Sequence, residues 1–235
     1  MMASEEQHTE SAGRALGGCE RRLVIYPDAV ADLPLRYYGN IGYYAAMAVC
    51  GHATLGTDAL YDKRHKSVHR CVIADASGPL QLTVPVAKPH GVTNARWTDV
   101  ALSDHGAWWN VHRTSLESAY GRTPFFEFYI DRFLPFLTAE VMDRYPTVAD
   151  LDVAIDAVVR DILLIETSVS SGGTSTGAIL PAESYTLPPY YQVRAMQQGF
   201  LPGMSILDLI FNLGPEAALY LRELCTQRQI SGFYP

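Results

Sequence analysis

Residues 61–87 read Tyr61-Asp-Lys-Arg-His-Lys-Ser-Val-His-Arg70-Cys-Val-Ile-Ala-Asp75-Ala-Ser-Gly-Pro-Leu80-Gln-Leu-Thr-Val-Pro85-Val-Ala87. The first ten hold four of the 18 Lys and Arg residues and two of the seven His of an otherwise acidic chain. Cys71, Val72 and Ile73, which follow, are strand-like. Ala76-Ser77-Gly78-Pro79 is turn chemistry between the apolar runs Ser67 to Asp75 and Leu80 to Ala87. The stretch therefore predicts a β-hairpin entered through a basic segment. Pro85 confines the second strand to an edge or a short run. Two readings of the basic segment stand side by side. It is a rim of positive charge held by a folded scaffold, or a solvated strand edge whose Lys and Arg discourage edge-to-edge pairing.

Upstream, Leu23-Val24-Ile25-Tyr26 reads as a short buried strand closed by Pro27. Leu35 to Cys50 reads as a helix with Ile41, Tyr44, Ala45 and Ala48 on one face. Gly51 is a plausible cap. His52 to Gly56 then completes a β-α-β unit. Residues 1–20 are polar and acidic without an apolar core segment, so a disordered arm is expected rather than a signal peptide.

Downstream of the hairpin, Val86 to Asn94 reads as a loop and Thr98 to Ser103 as a strand. The second half turns helical. Gly106 to Tyr120 puts Trp109, His112, Leu116 and Tyr120 on one side, with Arg113 beside them. Phe125 to Leu137, after Pro124, turns Phe126, Tyr129, Ile130 and Phe133 inward. Thr147-Val-Ala-Asp150 is a capping-box start for a helix to about Leu164, with Leu151, Ile155, Val158 and Ile162 in register. Ser168 to Gly177 is low in complexity and reads as a mobile loop. Ser205-Ile-Leu-Asp208 opens another helix, and Gly214-Pro215 separates it from a last one running to Cys225. Early strands and later helices predict a mixed α/β fold. After the arm at 1–20, residues 21–235 are expected to form one domain, a small sheet in the first half with the later helices packed on it.

The 235 residues are 48% hydrophobic and 18% charged, with a formal net charge of -7. A chain so acidic is not expected to coat nucleic acid nonspecifically, although a local anion pocket remains compatible with it. No window approaches the ~20 apolar residues of a membrane span. Cys19, Cys50, Cys71 and Cys225 show no CxxC spacing and read as free thiols of a cytoplasmic, reducing environment.

The chain carries no GxSxG, phosphate-binding loop, HExxH or dinucleotide glycine set. His90, His105 and His112 lack local ligand spacing, so no metal is expected, and no cofactor. His112 reads as a proton carrier, since an unperturbed His titrates near neutral pH, or as a core histidine bonded to a carbonyl. Arg70 offers a guanidinium fork for phosphate or carboxylate, or else a surface ion pair. Tyr120, Tyr129, Phe125 and Phe126 read as core, with stacking on a sugar or base as the other use.

Several segments together resemble the WbqC-like protein family. They are Tyr61 to Ile73; Leu82-Thr-Val-Pro-Val86; Trp108-Trp-Asn-Val-His112; Ala119-Tyr-Gly-Arg-Thr-Pro-Phe-Phe-Glu127; Pro189-Tyr-Tyr-Gln192; and Gly199-Phe200 with Ser205 to Glu216. They follow the family's order and cover about residues 22–221. Two departures stand out: Tyr26-Pro27 where members often have Gln-Pro, and His69-Arg70 where they often have Asn-Arg. The resemblance implies a place in surface-polysaccharide (O-antigen) biosynthesis and no particular reaction.

Together these readings point to group transfer from an activated, phosphate-bearing sugar or acyl donor, such as a nucleotide sugar. His112, Arg70 and Asp208 are the expected catalytic residues, with Asp208 or Glu127 orienting His112. Tyr61, Lys63, Trp109, Tyr120 and Gln192 are the expected substrate contacts. The alternative is a nonenzymatic interaction protein of an envelope or polysaccharide assembly pathway.

Overall fold

The β-α-β unit at the start of the chain builds a parallel sheet. In the computed structural model, which describes residues 26–175 and 187–230, strands β1 (Tyr26–Leu33) and β2 (Cys50–Leu55) run parallel on either side of helix α1 (Ile41–Ala48). The helix starts later than its aromatic pattern suggested because Asn40 caps it, its side chain accepting from Tyr43 N–H at 2.9 Å. It is buried on almost every side, as expected of a helix that is apolar all round.

Pro27 does not close the first strand. The chain continues extended to Leu33, and the β1–β2 register is irregular between Tyr26 and Val30. β1 is a sheet edge, where a residue without an N–H is tolerated. Residues 23–25 of the expected strand and the arm at 1–20 lie outside the described residues.

The sheet's third strand falls where a mobile loop was expected. β7 (Ser168–Ser171) pairs in parallel with β2 from His52↔Ser168 to Leu55↔Ser171. Its serines are satisfied across the strand, Ser168 and Ser170 hydroxyls meeting the two His52 ring nitrogens at 3.0 Å each. Gly172 and Gly173 are held as well, their N–H groups donating to Thr57 Oγ1 and Leu55 O. Backbone ladder bonds do not require apolar side chains, so composition alone misleads here. Residues 176 and 177 of that expected loop lie outside the described residues.

The central hairpin forms as expected. β3 (Arg70–Asp75) and β4 (Gly78–Thr83) pair antiparallel from Arg70↔Thr83 to Asp75↔Gly78. Gly78 takes φ 113° beside the turn, a backbone conformation that glycine adopts without strain. Pro85 separates β4 from β5 (Val86–Ala87), which pairs with β6 (Ala101–Leu102). The strand expected over 98–103 shrinks to two residues because Trp97–Asp99 wind into a 3₁₀ turn, with Arg96 N–H donating to Asp99 at 2.8 Å.

The helical half comprises α2 (Trp108–Tyr120), α3 (Phe126–Phe133), α4 (Val141–Arg144), α5 (Val148–Ile162), α6 (Ala195–Gln198), α7 (Ile206–Leu213) and α8 (Glu216–Ile230). The reciprocal Thr147–Asp150 capping box opens α5. On α2 the buried stripe is Trp108, His112, Leu116, Ala119 and Tyr120, and Trp109 is only partly buried. Phe211 of α7 gathers the aromatic core, with Tyr120, Phe126 and Phe133 centred 5.3, 5.1 and 5.9 Å away. Helices α2 and α7 both pack against β3. The fold is thus mixed α/β, with small sheets covered by helices. Among the described residues no helix is long and apolar enough to cross a membrane.

Candidate functional site

Helix α7 buries seven of its residues, and two of them, Asp208 and Asn212, are polar and one turn apart. Spacing of i and i+4 sets them on one face, and burial obliges each to find partners. Asn212 Nδ2 donates to the Asp208 carbonyl at 2.8 Å and to its Oδ1 at 3.3 Å. The other carboxyl oxygen accepts a very short bond from the Tyr190 hydroxyl and one from Gln192 Nε2 at 2.7 Å. Gln192 is itself held by Leu201, donating to its carbonyl and accepting from its N–H, both at 2.9 Å. Tyr120 approaches the same carboxyl while its hydroxyl accepts from Ala74 N–H at 3.0 Å. Burial pushes the Asp208 carboxyl above the ordinary carboxylate range, although Tyr190, Gln192 and Tyr120 all pull the other way. Tyr190 and Tyr120 are held protonated by the same burial. The result is a dry carboxyl ringed by phenols and amides, able to hold or release a proton but poorly solvated as an anion.

Three of the expected site residues, Tyr120, Gln192 and Asp208, therefore meet at one place. A cavity of about 10 Å³ beside them, room for about one water, is also lined by Arg194 and Gln198. Arg194 Nη2 donates to the Ser118 carbonyl at 2.9 Å, and Gln198 Nε2 donates to the Asp75 carbonyl at 3.2 Å. Arg194 Nε and Gln198 Oε1 are buried and have no hydrogen-bond partner among the described residues.

His112 lies two turns earlier on α2 in a different setting. Its Nδ1 meets the Tyr37 hydroxyl at 2.8 Å, and its Nε2 donates to the Thr83 carbonyl at 3.1 Å. Trp108, rather than Trp109, packs on the ring at 5.1 Å. Burial lowers its pKa from 6.5 to about 4, so the ring is neutral and both nitrogens are engaged near pH 7. Asp208 makes its bonds elsewhere, and Glu127 is exposed in the first turn of α3.

Arg70 stands next to this histidine's partner. It pairs in register with Thr83, it is half-buried, and its Nε is enclosed without a partner. Among the described residues it forms no ion pair, whereas Arg64 in the same basic run is bound to Asp62 at 2.8 Å. Ser67 of that run accepts from Tyr37 N–H at 3.1 Å, so the run is tied to the backbone of the residue that holds His112. Lys63 is exposed. Tyr61 packs its ring on Trp97 at 5.0 Å, with Lys88 Nζ 5.9 Å from its centre.

Two stations result along one helix–strand pair. Arg70 and His112 mark one end, and Tyr120, Gln192 and Asp208 the other. Eight residues of α2 separate His112 from Tyr120, or ~12 Å, and four residues of β3 separate Arg70 from Ala74, or ~13 Å. On the outer side of α2 lies an open groove of about 460 Å³. Among the described residues no group of three or more His, Cys, Asp or Glu is placed to hold a metal. Reasoning from the sequence missed Tyr37, Tyr190, Arg194 and Asn212. Tyr190 and Asn212 stand inside segments that carried the family resemblance, yet nothing local marks them as partners of Asp208.

A family model for the WbqC-like protein family matches residues 36–178, more than half of the chain. That span holds both ends of α2 and the whole hairpin, and it stops short of Gln192 and Asp208. No curated protein and no solved structure matches.

Proposed function

The chain belongs to the WbqC-like protein family, and we propose that it is a group-transfer enzyme acting on an activated, phosphate-bearing sugar or acyl donor in surface-polysaccharide biosynthesis. The observation that carries this reading is the Asp208 carboxyl: fully buried, raised in pKa, and oriented by Tyr190, Gln192 and Asn212. A carboxyl raised toward neutrality is suited to give or accept a proton during transfer. Arg70, a guanidinium without a carboxylate partner among the described residues, takes the donor's phosphate together with Lys63. Tyr61, Trp109 and Tyr120 are the proposed contacts for the rest of the donor. An extended diphosphate-linked donor covers the ~12 Å between the two stations. In this reading His112 positions rather than transfers a proton, because its two bonds hold Tyr37 and the β4 register opposite Arg70.

The test is calorimetric titration with uridine diphosphate and a panel of nucleotide sugars, followed by donor turnover. Arg70→Ala is expected to weaken binding roughly ten- to hundredfold, the range for a charged hydrogen bond. Asp208→Asn is expected to retain binding and lose turnover. Absence of any phosphate-dependent binding, or full turnover by Asp208→Asn, refutes the reading.

A nonenzymatic docking protein is the second reading. It is favoured by the small size of the Asp208 cavity and by large apolar side chains left in solvent, Met196 fully and Phe128 at 76%. It requires that no nucleotide sugar bind.

A further inference from the structure

The groove on the outer side of α2 is walled by Asn110, Val111, Thr114, Ser115 and Ser118, with Asp75 and Leu80 of the hairpin opposite. It is a shallow groove of about 460 Å³, open to solvent along one side. The composition of this helix face is unusual for a solvated one. Asn, Thr and Ser are weak helix formers because their side chains compete for backbone hydrogen bonds. A merely exposed face is better served by Glu, Lys or Ala. The ion pair Arg113–Glu117 on this helix, at 2.9 Å, involves residues outside the groove lining. Such local departures from propensity are expected where a surface serves a ligand.

The chemistry of the lining selects the ligand. The side chains of Asn110, Thr114, Ser115, Ser118 and Asp75 make no hydrogen bond within the described chain, so their donors and acceptors are unspent. No Lys, Arg or His lines the groove, which disfavours phosphate and carboxylate groups. Val111, 55% exposed, and Leu80 add an apolar surface. Hydroxyls, one carboxamide and one carboxylate around two aliphatic side chains match a ligand bearing many hydroxyls on a C–H framework. Asn110 to Ser118 extends ~12 Å along the helix, the length of two or three sugar rings.

We propose that this groove binds a neutral saccharide and serves as the acceptor subsite of the transfer reaction. The acceptor role rests on the function proposed above; saccharide binding does not. The groove also adjoins the Asp208 cluster. Ser118 O accepts from Arg194 and Asp75 O from Gln198, and these same two side chains wall the Asp208 cavity. A saccharide seated against Ser118 and Asp75 thus ends one side chain away from the carboxyl.

Saturation-transfer NMR on the full chain tests it, with neutral trisaccharides including maltotriose and chitotriose as probes and glucuronate and inorganic phosphate as controls. Neutral saccharides are expected to bind the wild type. The triple variant Asn110→Ala, Thr114→Ala, Ser118→Ala is expected to weaken them at least tenfold with a Tm no lower than wild type, since alanine is the better helix former. Ser115→Trp is expected to abolish the signal by filling the groove. No saccharide signal from the wild type, an unchanged affinity in the triple variant, or equal binding of glucuronate overturns the proposal. Asp208→Asn is expected to keep the saccharide signal, so turnover in that variant judges the reaction centre separately from the groove.

Discussion

His112 offers the sharpest test of how the site is divided between proton transfer and structure. The ring is 2% exposed and its two nitrogens are bonded to Tyr37 and Thr83. Burial depresses its pKa from 6.5 to about 4, with only the Thr83 bond opposing. A depressed folded-state pKa means that the unfolded chain takes up the proton first as pH falls. The stability held by neutral His112 is thus complete above pH 6.5 and is lost as pH falls toward about 4. At about 1.4 kcal/mol per pH unit, that interval is worth about 3 kcal/mol. His112→Phe keeps an aromatic ring against Trp108 but leaves the Tyr37 hydroxyl and the Thr83 carbonyl without this partner. At pH 7 it is expected to cost about 2–6 kcal/mol, at ~1–3 kcal/mol for each deprived group. At pH 4 the wild type carries its own penalty of about 3 kcal/mol, so the gap between the two proteins should shrink by about that amount. Urea denaturation of both from pH 7 to pH 4 measures the difference. Taking the difference matters, because Asp152, Asp156 and Asp208 are all raised by burial and push stability the opposite way with pH. A wild-type-to-variant gap constant within about 1 kcal/mol across that range refutes the reasoning. So does an imidazole NMR titration near pH 6.5, which would restore His112 as a proton carrier at neutral pH.

Asp152 is fully buried on α5 with neither carboxyl oxygen bonded among the described residues, and burial outweighs the pull of Arg36 to raise its pKa above 3.8. Its penalty therefore grows as pH rises above the ordinary carboxylate value, and Asp152→Asn is expected to stabilise the protein by ~1–3 kcal/mol at pH 7 and by almost nothing near pH 4, as read by thermal melts; destabilisation at pH 7 would show that Asp152 is a working partner of Arg36. Phe133, wholly buried with Tyr38 and Phe211 centred 5.8 and 5.9 Å away, is expected to cost ~3–5 kcal/mol on truncation to Ala, and a loss below about 1 kcal/mol would place it outside the core. Amides in Ser168–Ser171 that donate to β2 are expected to exchange slowly with solvent, and exchange at the rate of a free chain would remove β7 from the sheet.

Local chemistry was readable wherever a feature depends on neighbours in the chain. The turn at Ala76-Ser77-Gly78-Pro79 announced the hairpin, Thr147 and Asp150 announced the start of α5, and the spacing of the first two strands allowed the parallel crossover. Each is decided by backbone preference or by a hydrogen bond over a few residues. Trp109 was read inward in place of Trp108 because offsets of three and four to His112 both lie near one helix face, and only packing tells them apart.

The sequence by itself determined the mixed α/β class, the hairpin, the order of the helices and the family. Tertiary structure decided which polar groups share a dry environment. Ser168–Ser171 became a strand because β2, more than a hundred residues earlier, supplied its ladder. Asp208 became an acid candidate because burial raises its carboxyl against the pull of Tyr190 and Gln192, which reach it from outside its helix. His112 became a buried, doubly bonded histidine because Tyr37 and Thr83 reach it from distant segments. Desolvation and hydrogen bonding depend on every atom around a group, and those atoms come from stretches whose meeting no local pattern encodes.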